Sequence, residues 1–486
     1  MSAVPETAAE ERQGLFAQLA QLPRAFWMLN IIEMFERLAY YGMRVVIPIY
    51  IAQADEIHGL HFTQAQKGEI FAWWALVQTG VPIFSGGFAD RYGYKKTIAI
   101  SIVIKVIGYL LMATQRTYGG FMLGCLVLAF GTAIFKPGVW GSMQRTMDNK
   151  SSSLGWGVFY MLVNVGGFLG PPLAHYLHGW SWPTVFFGCA AIVSLNFLML
   201  LTYPVIEAGG KQVGGVLKTA WITFSNLFNL RLIVFILIMS GFWLMFMQLF
   251  DLLPNFIVDW VDSTALVKGL HLPAMFLTQT PRGPMVSQEW MINLDAGLIV
   301  LLVVWVSHLV SRMRRVHSIF IGIAIASAGL LLAGFTMSGV ACLAGIACFA
   351  LGEMLSSPKM NDYLGVIAPE GKKGLYMGYA NMPTAIGWYF GSKLAGNLYG
   401  EHGEKAGLAL RYLEQHGGVP AGVDRTNAME ALQRTASLDP GAATTLLWHT
   451  YQPFQVWYPF VAVGVASAVG IFLYAHWVKA TDAPDI

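Results

Sequence analysis

Six polar residues crowd into one short stretch that is otherwise apolar. Glu33, Glu36, Arg37, Tyr40, Tyr41 and Arg44 stand at offsets 0, 3, 4, 7, 8 and 11 from the first of them. Residues three and four apart share a face of a helix, so this spacing predicts one polar face. An ionisable group inside a membrane span costs about 2.5–3.5 kcal/mol on insertion scales. Lipid cannot lie against such a face, and all six are expected to line a wet cavity. The chemistry suits proton exchange. A carboxylate in a low dielectric tends to keep its proton, and a neighbouring cation favours its release. The competing reading is an ion-pair cluster that only fixes helix packing.

Other polar residues sit singly in apolar surroundings. Lys136 precedes Pro137. Tyr160 and Asn164 lie one turn apart, ahead of Gly166 and Gly167. Gln248 and Asp251 are followed by Pro254, Asn293 by Asp295, and Glu353 by Ser356, Ser357 and Pro358. Each also has a bland reading. Lys136 could snorkel to an interface, Asn164 and Asn293 could bridge helices, and Asp295, near one end of its stretch, could be solvated. Lys105, His175, His308 and Lys393 give weaker signals and read as solvated or packing residues. Pro inside several stretches frees backbone carbonyls and permits bending.

The elements that must position these residues are membrane spans. Of the 486 residues, 56% are hydrophobic and 12% charged, against about 25% charged in soluble domains. Mean hydropathy is positive. A span needs about 20 mostly apolar residues. Twelve candidates cover 25–53, 64–88, 97–114, 120–145, 154–177, 183–203, 230–257, 290–310, 319–337, 340–367, 376–399 and 453–478. The sequence therefore predicts an all-α integral membrane protein, with twelve transmembrane helices in two six-helix halves.

Lys and Arg gather in alternate loops, at Arg91, Lys95 and Lys96, at Arg145 and Lys150, at Lys211 and Lys218, at Arg312, Arg314 and Arg315, and at Lys372 and Lys373. The positive-inside rule then puts both termini in the cytoplasm. This divides the chain into a tail (1–23), a first half (24–204), a linker (205–229), a second half (230–478) with a long external loop (400–452), and a short tail (479–486). The first tail has no basic start and no cleavage site, so it does not read as a signal peptide. The linker holds an apolar stretch that reads as interfacial. The long loop shows helix-like pieces near 404–415 and 426–437 and reads as a cap or an insertion. Four cysteines, Cys125, Cys189, Cys342 and Cys348, fall in apolar stretches and suit packing rather than metal or disulfides. A net charge of +3 with no basic run gives no footprint for nucleic acid.

With these residues in view, the sequence resembles the proton-dependent oligopeptide transporter family of the major facilitator superfamily. EMFERLAYYG on the first helix looks like that family's Glu-x-x-Glu-Arg-Phe-x-Tyr-Tyr signature, with Leu38 in place of Phe. GGFADRYGYKK, with Gly86, Asp90, Arg91 and Gly93, looks like the superfamily's loop motif. GTAIFKPG, FYMLVNVGGFLGP and LGEMLSSP resemble the family's fourth, fifth and tenth helices, in that order.

The resemblance implies roles. Glu33, Glu36 and Arg37 would be the coupling triplet, with Lys136 facing it. Arg37 and Lys136 would attract a peptide's carboxyl terminus, and Glu353 its amino terminus. Asn164 and Asn293 would bond the peptide backbone, while Tyr40 and Tyr41 would line the pocket. Arg44 would pair with an acid on the seventh helix to close an outer gate. The family's acid position is Met247 in this sequence, so Asp251, one turn later, is expected to take that role and to couple to protons. The family's Asn-Pro becomes Asn293-Leu294, and Ala380 stands where relatives often carry Trp. The expectation is a monomeric, cofactor-free proton symporter of di- and tripeptides in a bacterial inner membrane, not an enzyme. The alternatives are a symporter of another small substrate (nitrate, an amino-acid derivative or a drug) and a non-transporting nutrient sensor.

Overall fold

The computed structural model describes residues 21–83, 93–147, 152–204, 229–310, 313–367 and 379–481. Most of the first tail, the linker, Gly86, Asp90 and Arg91 lie outside them, as does much of the basic loop charge. The first half holds α1 (Arg24–Ala52), α2 (Gln64–Ala75, continued by a π turn at Leu76–Gly80), α3 (Tyr94–Thr114), α4 (Tyr118–Thr146), α5 (Ser152–His178) and α6 (Trp182–Thr202). The second half begins with α7, broken into Leu230–Phe246, Gln248–Asp251 and Leu253–Trp260. It continues through α8 (Gln288–Val310), α9 (Arg315–Phe335), α10 (Gly339–Ile367), α11 (Asn381–His402) and α12 (Tyr458–Thr481). A short helix, Thr264–Leu270, and an antiparallel hairpin, β1 (Leu277–Thr280) with β2 (Gly283–Val286), join α7 to α8.

Eight of these helices, α3–α7, α9, α10 and α12, are long and apolar enough to cross a membrane by length and composition. The other four, α1, α2, α8 and α11, carry interior polar residues. Their polarity is affordable only because they face one another inside the bundle rather than lipid.

Local sequence sets the element ends and the close approaches. Thr63 starts α2 with a capping box: its hydroxyl accepts from Gln66 N at 3.1 Å, and Gln66 Oε1 accepts from Thr63 N at 2.9 Å. Gly93, at φ +89°, turns the chain into α3 in a left-handed conformation that a β-carbon resists. Small residues let helix backbones touch, as packing in lipid favours. A β-carbon on Gly42 of α1 would lie 2.9 Å from the Gly170 carbonyl of α5. One on Gly68 of α2 would lie 3.0 Å from Gly396 Cα of α11.

The halves meet where α2 packs on α11 and where α5 packs on α8. The loop between α11 and α12 forms three helices, Lys405–Gln415, Ala428–Ala436 and Pro440–Tyr451; the last has no counterpart in the sequence reading. Leu408, Leu413, Leu432 and Leu447 are buried among them. Trp448 packs on Phe256 and Trp260, which seats the loop on the end of α7. Three of the four cysteines are buried, and Cys348 lies on an exposed helix face.

Candidate functional site

A cavity of about 370 Å³ lies between the halves. That is within the usual size for small-molecule sites. From α1 it is lined by Arg37, Tyr40, Tyr41 and Arg44, from α4 by Lys136, and from α5 by Asn164. From the other half come Asn293 and Asp295 on α8 and Glu353 on α10. Trp243, Phe246 and Phe250 of α7 and Trp388 of α11 supply aromatic surface, while Ala380 leaves room beside them.

Glu33 and Glu36 are not part of this lining, which corrects the expectation that all six α1 residues face the cavity. At about 100° of turn per residue, Glu36 points well away from Arg37, toward α3. Both acids are almost fully buried. Arg37 Nε donates to Glu33 Oε1 at 2.8 Å and stands 3.2 Å from Glu36 Oε2. The guanidinium therefore separates the two acids from the cavity and connects them to it.

Lys105 of α3 completes the cluster, and it is not the solvated or packing residue the sequence suggests. It is 1% exposed, with Nζ 3.5 Å from Glu36 Oε1 and 3.4 Å from the centre of the Phe135 ring. Gly131 of α4 makes the room: a β-carbon there would lie 2.7 Å from Lys105 Cγ. Glu33, Glu36, Arg37 and Lys105 together carry two negative and two positive formal charges. This wall is neutral by itself. Glu33 Oε2, Glu36 Oε2 and Lys105 Nζ nonetheless lack a hydrogen-bond partner among the described residues. Buried polar groups are almost always paired, so vacancies gathered in one cluster point to function.

Lys136 faces the cavity and forms no ion pair among the described residues. Asn164 donates to the Tyr160 carbonyl one turn back, at 2.8 Å. Asn293 donates to the Phe168 carbonyl of α5 at 2.9 Å, so it does bridge helices, and it also lines the cavity. Asp295 is not solvated; it is 5% exposed within the cavity wall. Gln78, which the sequence reading did not single out, sits on the π turn of α2. It accepts from Trp74 Nε1 at 2.6 Å and donates to the Tyr40 hydroxyl at 3.0 Å. Such π turns are frequent at functional sites, and the signal in the sequence was a lone Gln in an aromatic helix.

We use distal for the bundle end opposite the one where α1 begins and α12 finishes. Polar bridges join the halves toward that end. Arg44 forms an ion pair with Asp251 and donates to the Phe250 carbonyl at 3.3 Å. Asp251 also accepts from Trp388 Nε1 at 3.0 Å and Ser392 Oγ at 2.6 Å, in the break of α7. Farther out, Lys67 Nζ donates to Asn255 Oδ1 at 2.7 Å, and Asn255 donates to the Pro48 carbonyl at 3.2 Å. Gln53 reaches Asp259 at 2.8 Å. His175 of α5 lies 3.6 Å from Glu289 of α8, a side-chain contact between the halves.

At the distal surface, Arg425 of the long loop holds Glu404 at 3.0 Å and donates to the His61 carbonyl of the α1–α2 connection at 3.3 Å. Burial pushes the Glu404 carboxyl above its ordinary range, and Arg425 offsets part of that. On the distal side the halves are thus joined by a buried ion pair, buried hydrogen bonds and a surface strap.

Comparison with known proteins agrees with this architecture. The chain matches the Major Facilitator Superfamily over residues 29–392. Over 202 residues it is 25% identical to "Peptide transporter YePEPT" of Yersinia enterocolitica, covering 40% of this chain and 39% of that one. The chain thus spans well under half the length of that relative. Over 336 residues it is 22% identical to "Multidrug resistance protein MdtH" of Klebsiella pneumoniae, covering 67% of this chain and 75% of the relative. A crystal structure of a POT family transporter in complex with 5-aminolevulinic acid superposes with a TM-score of 0.67 at 15% identity, over 95% of this chain and 97% of the other. Superfamily members are transporters, not enzymes, and this one is a multi-pass membrane protein. The chain belongs to the Major Facilitator Superfamily, and its motifs resemble those of the proton-dependent oligopeptide transporters within it.

Proposed function

We propose that this chain carries di- and tripeptides into a bacterial cell together with protons. It would act as a monomer in the inner membrane, with both termini in the cytoplasm and the proton gradient as its only driving agent. One observation carries the reading. The cavity has cations on one wall, Arg37 and Lys136, and carboxylates on the other, Asp295 and Glu353. A zwitterion with a carboxylate at one end and an ammonium at the other fits between such walls. Recognition of the two ends and the backbone leaves side chains of many sizes acceptable.

Coupling follows from Arg37. It holds Glu33 and Glu36 while also facing the cavity. A substrate carboxylate that competes for the guanidinium takes a counterion from those acids, and a proton takes its place. The two cargoes then enter together because each vacates a position the other needs. On the distal side, a proton on Asp251 releases Arg44, and the seal between α1 and α7 opens. Alternation between the two seals moves the cavity from one side of the membrane to the other.

The test is uptake of labelled dialanine into proteoliposomes under an inward pH gradient, with alanine, trialanine and nitrate as competitors. Uphill uptake that trialanine inhibits and nitrate does not is the expected result. Uptake indifferent to the gradient, or none, overturns the proposal; binding without flux would identify a sensor. The relative named for multidrug resistance matches a longer stretch than the peptide transporter does. That motivates a second reading, transport of a drug. Dye flux in the same liposomes, unaffected by dialanine, would favour it.

A further inference from the structure

The acidic wall carries more charge than a peptide's amino terminus requires. Asp295 and Glu353 both line the cavity, from two helices, α8 and α10, that pack on each other. Neither forms an ion pair among the described residues. Asp295 is 5% exposed, and its Oδ1 has no hydrogen-bond partner. Asn293, 2% exposed, adds an unpartnered carbonyl oxygen, Oδ1, to the same wall, because its amide nitrogen is spent on Phe168. Three acceptor groups thus stand on one side of a buried cavity with no donor assigned to Asp295.

Charge balance across the cavity sharpens the point. Arg44 is neutralised by Asp251, and Glu33 and Glu36 are neutralised by Arg37 and Lys105 together. The groups left over are Lys136 on one wall and two carboxylates on the other. A simple zwitterion supplies one carboxylate to Lys136 and one ammonium to Glu353, which leaves Asp295 uncompensated. A buried acid with no counterion holds its proton, and a substrate that brings a second cation lets it ionise and gains an interaction that a neutral side chain cannot provide.

We infer that Asp295 is a specificity residue: with Glu353 and Asn293 it forms a subsite for a second positive charge near the substrate's amino terminus, so the favoured peptides carry a basic first residue. The inference rests on the peptide reading above and deepens it. Position matters because Glu353, the partner for the amino terminus, shares its wall with Asp295. A lysine in the first position brings its side chain to that wall, and a lysine in the last position carries it toward Lys136.

Inhibition of dialanine uptake by Lys-Ala and by Ala-Lys tests this in the wild type and in Asp295→Asn, a nearly isosteric change. The readout is the ratio of the two inhibitory concentrations. Lys-Ala is expected to be the stronger inhibitor by about tenfold in the wild type, and the ratio is expected to fall to about one in Asp295→Asn. A ratio of one in the wild type, or a preference that survives the substitution, overturns the subsite. A second measurement does not depend on peptide transport. Thermal stabilisation of the detergent-solubilised protein is compared for lysinamide, a dication, and alaninamide, a monocation. Greater stabilisation by lysinamide, lost in Asp295→Asn, supports the subsite even if dialanine is never transported, in which case only the peptide reading fails. Equal stabilisation by the two amides overturns the subsite whatever the transport result.

Discussion

The two walls of the cavity treat charge in opposite ways. On the first half, Glu33, Arg37, Glu36 and Lys105 are linked in that order by contacts of 2.8, 3.2 and 3.5 Å and sum to neutrality. On the second half, Asp295 and Glu353 have no counterion among the described residues. One wall contains its own answer to desolvation, and the other waits for a cation from outside. The difference assigns the tasks: the neutral cluster exchanges a proton against internal partners, and the open wall receives cargo. The same fold tolerates both because helices α3, α4 and α5 shield the first wall with small residues, whereas α8 and α10 leave the second facing the void.

Substitutions that disturb the balance of each wall should therefore differ in kind. Lys105→Met removes an internal counterion from a cluster that has no spare one. Breaking a buried pair in this way costs about 3–5 kcal/mol. The purified variant should melt well below the wild type and lose concentrative uptake. A variant with wild-type melting and uptake would show that Lys105 only fills space. Glu353→Gln does the reverse, since it removes one of two unpaired acids. Melting should hold or rise, while the apparent KM for dialanine worsens about thirtyfold or more, as for losing one partner of a buried charge pair. A large fall in melting temperature with unchanged KM would remove the contrast between the walls.

The gate gives a smaller, conformational effect. Asp251→Asn keeps the hydrogen bonds from Trp388 and Ser392 within reach but removes the charge that holds Arg44. A cysteine placed at the distal end of α7 should then become reactive to a membrane-impermeant maleimide several times faster. Unchanged reactivity would mean that the outer network of Lys67, Asn255 and Gln53 seals that side alone. The smallest effect belongs to the surface strap. Arg425→Ala should cost about 1 kcal/mol, as a partly exposed pair does, and with a definite pH dependence. Burial raises the Glu404 carboxyl above its ordinary range, so the folded chain binds a proton there more readily than the unfolded one. Stability contributed by Glu404 falls as pH rises through that range, and further once Arg425 is gone. Melting curves at pH 5 and pH 8 should show a larger deficit for the variant at the higher pH.

Much of this was legible because membrane insertion makes charge conspicuous. Arg37, Lys136 and Glu353 stood out in apolar stretches, and the cavity gathers all three. The pair of Arg44 with Asp251 was expected from the family resemblance, with Asp251 one turn beyond the position where relatives carry the acid. Lys105 was misread because a lone lysine in an apolar helix looks like one that snorkels. Its depth was the available signal: it is the twelfth of 21 residues in α3, about 15 Å from either end and too far for its stem to reach an interface. Its contact with Glu36 is a tertiary one that no local pattern encodes. Glu33 and Glu36 were set on the cavity face because six residues at helical spacing cover a broad arc, and only neighbouring helices decide which part of it meets water. Asp295 was left open between a solvated and a buried place because position along a helix does not reveal how deeply the next helix covers it.

The central claim is that Glu36, held behind Arg37, is where proton and substrate are exchanged. The accumulation ratio of dialanine in sealed proteoliposomes measures this most directly. Under about 100 mV of proton driving force, one proton supplies about 2.3 kcal/mol, or roughly fortyfold accumulation. The wild type should approach that value, and Glu36→Gln should equilibrate dialanine at a ratio of about one. A Glu36→Gln protein that still concentrates dialanine as the wild type does would contradict the account.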